Sequence, residues 1–199
     1  MEAAGRIEDF QHGRVPRPVR ERQLVELGEE LFAERGFAKA SMDELARRAG
    51  VTKPVIYELF GSKEGLFRAC LEGLALRLAD HIADAARAED EPEARLRAGG
   101  LAFLRFASDN RMAYELLYEG RFSDAAVSVR RRQAALILEL MREMAPAGVD
   151  SHELEVAAHA VNSAYEGVAH WMWDHPDVPV ERLADWTVEL LLPGLRRFT

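Results

Sequence analysis

The sequence predicts an all-α protein of about nine helices, and three observations predict it. Apolar residues recur at three- and four-residue intervals along nearly the whole chain. Strict apolar–polar alternation and hairpin dipeptides are missing. Helix punctuation recurs instead, with Ser or Thr before apolar runs and Gly or Pro after them. The 199 residues are 48% hydrophobic, enough for a core that needs no disulfide or metal. Cys70 is the single cysteine, so no internal disulfide can form, and a reducing cytoplasm is the expected compartment. No apolar run approaches the roughly 18 residues of a membrane span.

The elements follow in order. Leu24, Leu27, Leu31 and Phe32 form the inner stripe of a first helix, which Gly36 ends as a left-handed cap. Ser41-Met42-Asp43-Glu44 reads as a capping box, in which the Ser hydroxyl and the Glu carboxylate satisfy free amides. That second helix is short and stops at Gly50. Thr52 caps a third, with Pro54 in its first turn, where a missing amide costs little. Ser62 opens a fourth that runs towards Ala85. Breaks near Pro92, Asp109-Asn110, Gly120, Pro146-Ala147-Gly148 and His175-Pro176 divide the remainder, with long helices predicted over 123–145, 151–174 and 180–192.

Two short helices joined by Ala49-Gly50-Val51-Thr52 form a helix-turn-helix over 41–60. Ile56, Leu59 and Phe60 fall on its inner side, and Lys53, Pro54, Tyr57 and Glu58 fall outside. A helix fits the major groove with its first residues at the base edges. Lys53 suits guanine or phosphate, Pro54 and Val55 suit a thymine methyl, and Tyr57 suits a phosphate. The helix starts at Ser41, Thr52 and Ser62 can direct amides at phosphates, with Lys63 adding charge. Charge is divided in the same sense. Residues 14–68 carry eleven basic and nine acidic side chains, whereas residues 69–199 carry fourteen and twenty-two.

From Arg22 to Leu71 the wording resembles the TetR family of transcriptional regulators. The resemblance rests on Leu31-Phe32-Ala33-Glu34-Arg35-Gly36-Phe37, on Leu45-Ala46-Arg47-Arg48-Ala49-Gly50-Val51-Thr52, and on Ile56 through Leu66. It implies a DNA-binding domain over 18–78 and a ligand-binding and dimerisation domain over 79–199. It also implies a homodimer joined by the last two long helices, a palindromic double-stranded operator, and repression released by a small molecule. By the same resemblance Lys53, Pro54, Val55, Tyr57 and Lys63 are DNA contacts, with Ser41 and Thr52 at phosphates. Pro54 stands where many members have Gly or a small residue. Glu58 stands where others have a basic or aromatic one, so an acid faces the groove.

The resemblance leaves the ligand open. Aromatics gather in the rear half, and Phe103, Phe106, Tyr114 and Tyr118 are the first candidates for an apolar pocket. His159, Asn162, Glu166 and His170 repeat on one face of a largely apolar helix. Such a stripe serves neighbouring helices or solvent, a ligand, or a metal held by Glu166 and His170 with help from His81; Asn162, Glu166 and His170 are taken as ligand candidates. Two further stripes, Val161–Tyr165–Val168–Met172 and Leu183–Trp186–Leu190, are candidates for the dimer interface. No nucleophile–base pair, phosphate loop or metal motif points to an enzyme or to a cofactor. A helical ligand-binding or interaction protein without DNA-binding activity is the rival reading.

Overall fold

A computed structural model describes residues 15–111, 114, 115 and 123–198. Among these it contains eight α-helices, a short terminal 3-10 turn and no strand: α1 (Arg17–Lys39), α2 (Met42–Ala49), α3 (Lys53–Phe60), α4 (Lys63–Arg87), α5 (Pro92–Asp109), α6 (Ser123–Arg142), α7 (Ser151–Met172) and α8 (Val180–Leu195), then Arg196–Phe198. The all-α expectation holds. The break expected at Gly120 and the pocket candidate Tyr118 lie outside the described residues. No helix among the described residues is long and apolar enough to cross a membrane.

The chain forms two compact units, one ending at Leu74 and the other beginning at Ala75. In the first, Leu24, Leu31, Leu45, Ile56 and Leu66 are wholly inaccessible. Gly28 lets α4 approach α1, since a Cβ there would come within 2.9 Å of Cys70 Sγ. Phe32, Phe37 and Phe67 meet edge-on and stacked beside this contact. Gly36 adopts φ 69°, ψ 161° and interrupts α1 where the sequence ends it, although three more residues continue the turn. Gly50 adopts φ 64°, ψ 33°, the left-handed cap that lets α3 leave α2 sharply.

The capping box does not form. Ser41 occupies the N-cap position but accepts no helix amide. Glu44 turns instead to Arg48, which also bonds both oxygens of Glu34 at 2.8 and 3.1 Å. A guanidinium outbids a neutral amide for a carboxylate because the charge-assisted bond is stronger.

In the second unit α6 packs on α7, α5 on α8, and α7 touches both α5 and α8. Asp150 caps α7, its carboxylate accepting from the amides of His152 at 2.8 Å and Glu153 at 3.2 Å. These bonds hold its pKa below the usual carboxylate value. The sequence ends the last helix at Leu192, before Pro193, yet α8 continues to Leu195 with Pro193 inside it. Proline's fixed φ is helical, so one lost hydrogen bond in a last turn is tolerable. Phe198 then folds back to pack with Leu138, Leu154, Ala157 and Ala158.

Candidate nucleic-acid interface and ligand cavity

The outer face of α3 is built by its inner one. Ile56 is fully buried, and this fixes the helix so that Pro54, Tyr57 and Glu58 are exposed. Lys53, at the first turn, pairs with Asp43 of α2 at 3.0 Å, both side chains being substantially exposed. That hydrogen bond raises the pKa of Lys53 and keeps it charged. Val55 is half-buried and Thr52 is exposed. Neither Ser41 nor Thr52 caps its helix with its side chain. The first amides of α2 and α3 therefore donate no bond to these hydroxyls, a feature that suits phosphate.

Lys63 is the first residue of α4. Its ammonium lies 4.8 Å from the centre of the Phe37 ring and 3.4 Å from the Ala38 carbonyl oxygen. Ser62 takes the capping role there, its hydroxyl accepting from the Gly65 amide at 3.1 Å. Sequence reasoning passed over Arg47, exposed on α2 one turn beyond Asp43. The i, i+4 relation to Asp43 was the signal that could have found it.

The second unit holds a partly open cavity of about 110 Å³, several times what one water needs. Its wall is overwhelmingly apolar, with Ile82 from α4, Leu96 and Phe103 from α5, Ile137 and Leu140 from α6, and Val161 from α7. Polar side chains in the wall are Arg95, Gln133, Asn162 and Tyr165. Arg95 is held by Glu143 at 3.0 Å and by the Glu89 carbonyl at 2.8 Å. Glu143 also accepts from Arg87, and these bonds hold its pKa below the usual value. Tyr165 donates to the Leu96 carbonyl at 3.3 Å, and burial pushes its phenol pKa up.

Of the expected ligand residues, Phe103 and Asn162 line this cavity, and Phe106, Tyr114, Glu166 and His170 do not. Tyr114 is fully buried, with ring contacts to Phe103, His170 and Trp173. Glu166 binds Arg130 at 2.8 Å and accepts from Asn162 at 2.7 Å. The His170 ring nitrogen lies 2.8 Å from the Glu166 carbonyl. The polar stripe of α7 is thus largely answered by its own neighbours, with His159 exposed. Among the described residues no cluster of three or more His, Cys, Asp or Glu could hold a metal.

The dimer candidates divide. Val161, Tyr165, Met172 and Leu183 are buried inside the unit, so these four are corrected to intrachain core. Val168 is half-buried, while Trp186 is 45% and Leu190 is 78% exposed. The helices carry apolar residues on two faces, and periodicity does not tell which face a neighbour covers. The outward apolar residues of these two helices are Val156, Trp171, Trp186 and Leu190.

Known proteins resemble this chain over both units. Residues 24–70 match the family model for bacterial regulatory proteins of the tetR family, and residues 92–194 match that for the tetracyclin repressor-like C-terminal domain. The HTH-type transcriptional activator FasR of Mycolicibacterium smegmatis is 29% identical over 92% of this chain and 85% of its own. A TetR-like transcriptional regulator from Rhodococcus sp. RHA1 is 31% identical with a TM-score of 0.66, over 92% of this chain and 99% of its own. The regulator FadR of Bacillus subtilis, solved with stearoyl-CoA, shares the fold with a TM-score of 0.70 at 15% identity, over 87% of this chain and 98% of its own.

Proposed function

The chain belongs to the TetR family of bacterial regulatory proteins, and we propose that it represses transcription at a palindromic operator until a ligand with a long apolar chain enters the cavity of its second unit. DNA binding under the control of a ligand is the activity of this family of regulators. The observation that carries the ligand class is the cavity wall, in which aliphatic and aromatic side chains far outnumber polar ones. Such a wall recognises shape and apolar area, at about 25 cal/mol per Å² buried. Stearoyl-CoA, the ligand in the FadR structure, is the natural first probe.

Lys53, Pro54, Val55 and Tyr57 meet base edges and phosphates, with Ser41, Thr52 and Arg47 at flanking phosphates. Two heads about 34 Å apart read two half-sites, so the operator requires a dimer, formed through the outward faces of α7 and α8. Binding in the cavity need favour the DNA-incompetent state by only a few kcal/mol to empty the operator.

Gel shift on the DNA flanking the chain's own gene tests this, with stearoyl-CoA against coenzyme A alone. Stearoyl-CoA should weaken the shift and coenzyme A should not; equal shifts at saturating stearoyl-CoA would remove the acyl ligand from the reading. Deleting the gene should raise expression from that promoter. A fall would make the chain an activator, as the M. smegmatis relative is by name.

A further inference from the structure

Asn162 is 8% exposed and belongs to a cavity wall that is otherwise nearly apolar. Its amide nitrogen donates to Glu166 Oε1 at 2.7 Å, and Glu166 is in turn held by Arg130 at 2.8 Å. A carboxylate paired with a guanidinium can only accept. Rotating the Asn162 amide by half a turn would set oxygen against oxygen at that distance, so the network fixes which end of the amide is which. The Asn162 carbonyl oxygen then has no hydrogen-bond partner among the described residues. Of the other polar side chains of the wall, Arg95 is held by Glu143 and the Glu89 carbonyl, and Tyr165 by the Leu96 carbonyl. An acceptor oriented this firmly in an apolar wall is left unsatisfied by an alkyl chain and satisfied by a ligand bearing an N–H or O–H.

We propose that Asn162, positioned by Glu166 and Arg130, makes the cavity selective for chains that carry a hydrogen-bond donor, an amide N–H or a hydroxyl, over plain alkyl chains. This rests on the reading of the cavity as the ligand site. It names a polar feature such a ligand must present, and the role of Arg130 and Glu166 is to position the amide.

The test uses two neutral probes on the intact protein, N-methyldodecanamide and N,N-dimethyldodecanamide, with affinities measured by calorimetry. They share a chain and a carbonyl and differ in the N–H. The extra methyl of the second would by itself favour binding to an apolar wall. The parent should prefer the N–H probe about tenfold, the worth of one well-placed hydrogen bond. Asn162→Leu should bring the two within about twofold without weakening the dimethyl probe. Glu166→Gln, which removes the charge that pins the amide and leaves the cavity wall intact, should reduce the preference part of the way. Equal affinities in the parent overturn the proposal, as does a preference that survives Asn162→Leu. If that variant does not fold, an undiminished preference in Glu166→Gln overturns it. If neither amide binds while stearoyl-CoA releases DNA, this inference falls and the proposed function stands. If none of the three acts, both fall.

Discussion

The first unit closes its helices around side chains with no accessible surface, Leu24, Leu31, Leu45, Ile56 and Leu66, whereas the second leaves a cavity among residues just as apolar, Ile82, Leu96, Phe103 and Val161. The contrast follows from what each unit must hold. On the proposed reading, Lys53 and Tyr57 must be placed on the DNA to within a fraction of an ångström, and dense packing beneath α3 supplies that rigidity. Binding an apolar ligand requires unfilled volume, and lining atoms that face a void forgo dispersion contacts. Stability is thus concentrated where position matters and given up where a guest will restore it.

The sharpest way to break this comparison is to make the same kind of change in both units. Ile56→Ala removes a fully buried side chain from the packed unit and should cost about 3 kcal/mol, measured by urea unfolding, with loss of operator binding. Val161→Phe goes the other way, adding volume beside the cavity. In a filled core such a change costs about 1–3 kcal/mol, and here it should cost less than about 1. Ligand response should nevertheless disappear. A large destabilisation by Val161→Phe would mean that the cavity is not available volume.

The outer face of the second unit supplies an effect of intermediate size. Leu190 is 78% exposed, so Leu190→Glu leaves the fold of one chain nearly untouched. If α7 and α8 pair across a two-fold axis, a charge there should weaken the dimer by about 2 kcal/mol or more, seen as monomer in sedimentation at concentrations where the parent is dimeric. An unchanged sedimentation profile would move the interface elsewhere.

These differences also mark how far the sequence could be read. The helix-turn-helix was legible because its signals are local: Gly50 needs its left-handed φ whatever surrounds it, and the spacing of Ile56 from Pro54 and Tyr57 fixes two faces within one short helix. The cavity was legible only in part. Phe103 and Asn162 were identified, but Tyr114 and His170 carry the same kind of signal and pack into each other's rings. Whether facing side chains meet or leave a gap depends on helix separation, which no periodicity encodes. The same blindness put Val161 and Tyr165 on a dimer surface when they are interior, and missed Val156 and Trp171, which are not. Ser41 shows the reverse error, since a correct local motif lost its partner when Arg48 claimed Glu44.

The smallest effect concerns charge on the DNA-facing side of the first unit. Lys53 carries a partner, Asp43, at 3.0 Å, and a phosphate approaching Lys53 must displace or tolerate that carboxylate. The pair is exposed, so water already weakens it and little is lost when it opens. Asp43→Asn should therefore strengthen DNA binding by less than about 1 kcal/mol, with no change in fold. The salt dependence distinguishes this cause from a new base contact. With Asp43 gone, Lys53 neutralises phosphate without internal competition, and the slope of log affinity against log salt should steepen by up to about 0.9, one phosphate's worth. The gain should be equal on operator and unrelated DNA, because phosphates carry no sequence. Lys53→Ala should act in the opposite direction, weakening binding and flattening the slope. A gain from Asp43→Asn confined to the operator would instead place position 43 at a base edge and extend the reading surface from α3 onto α2.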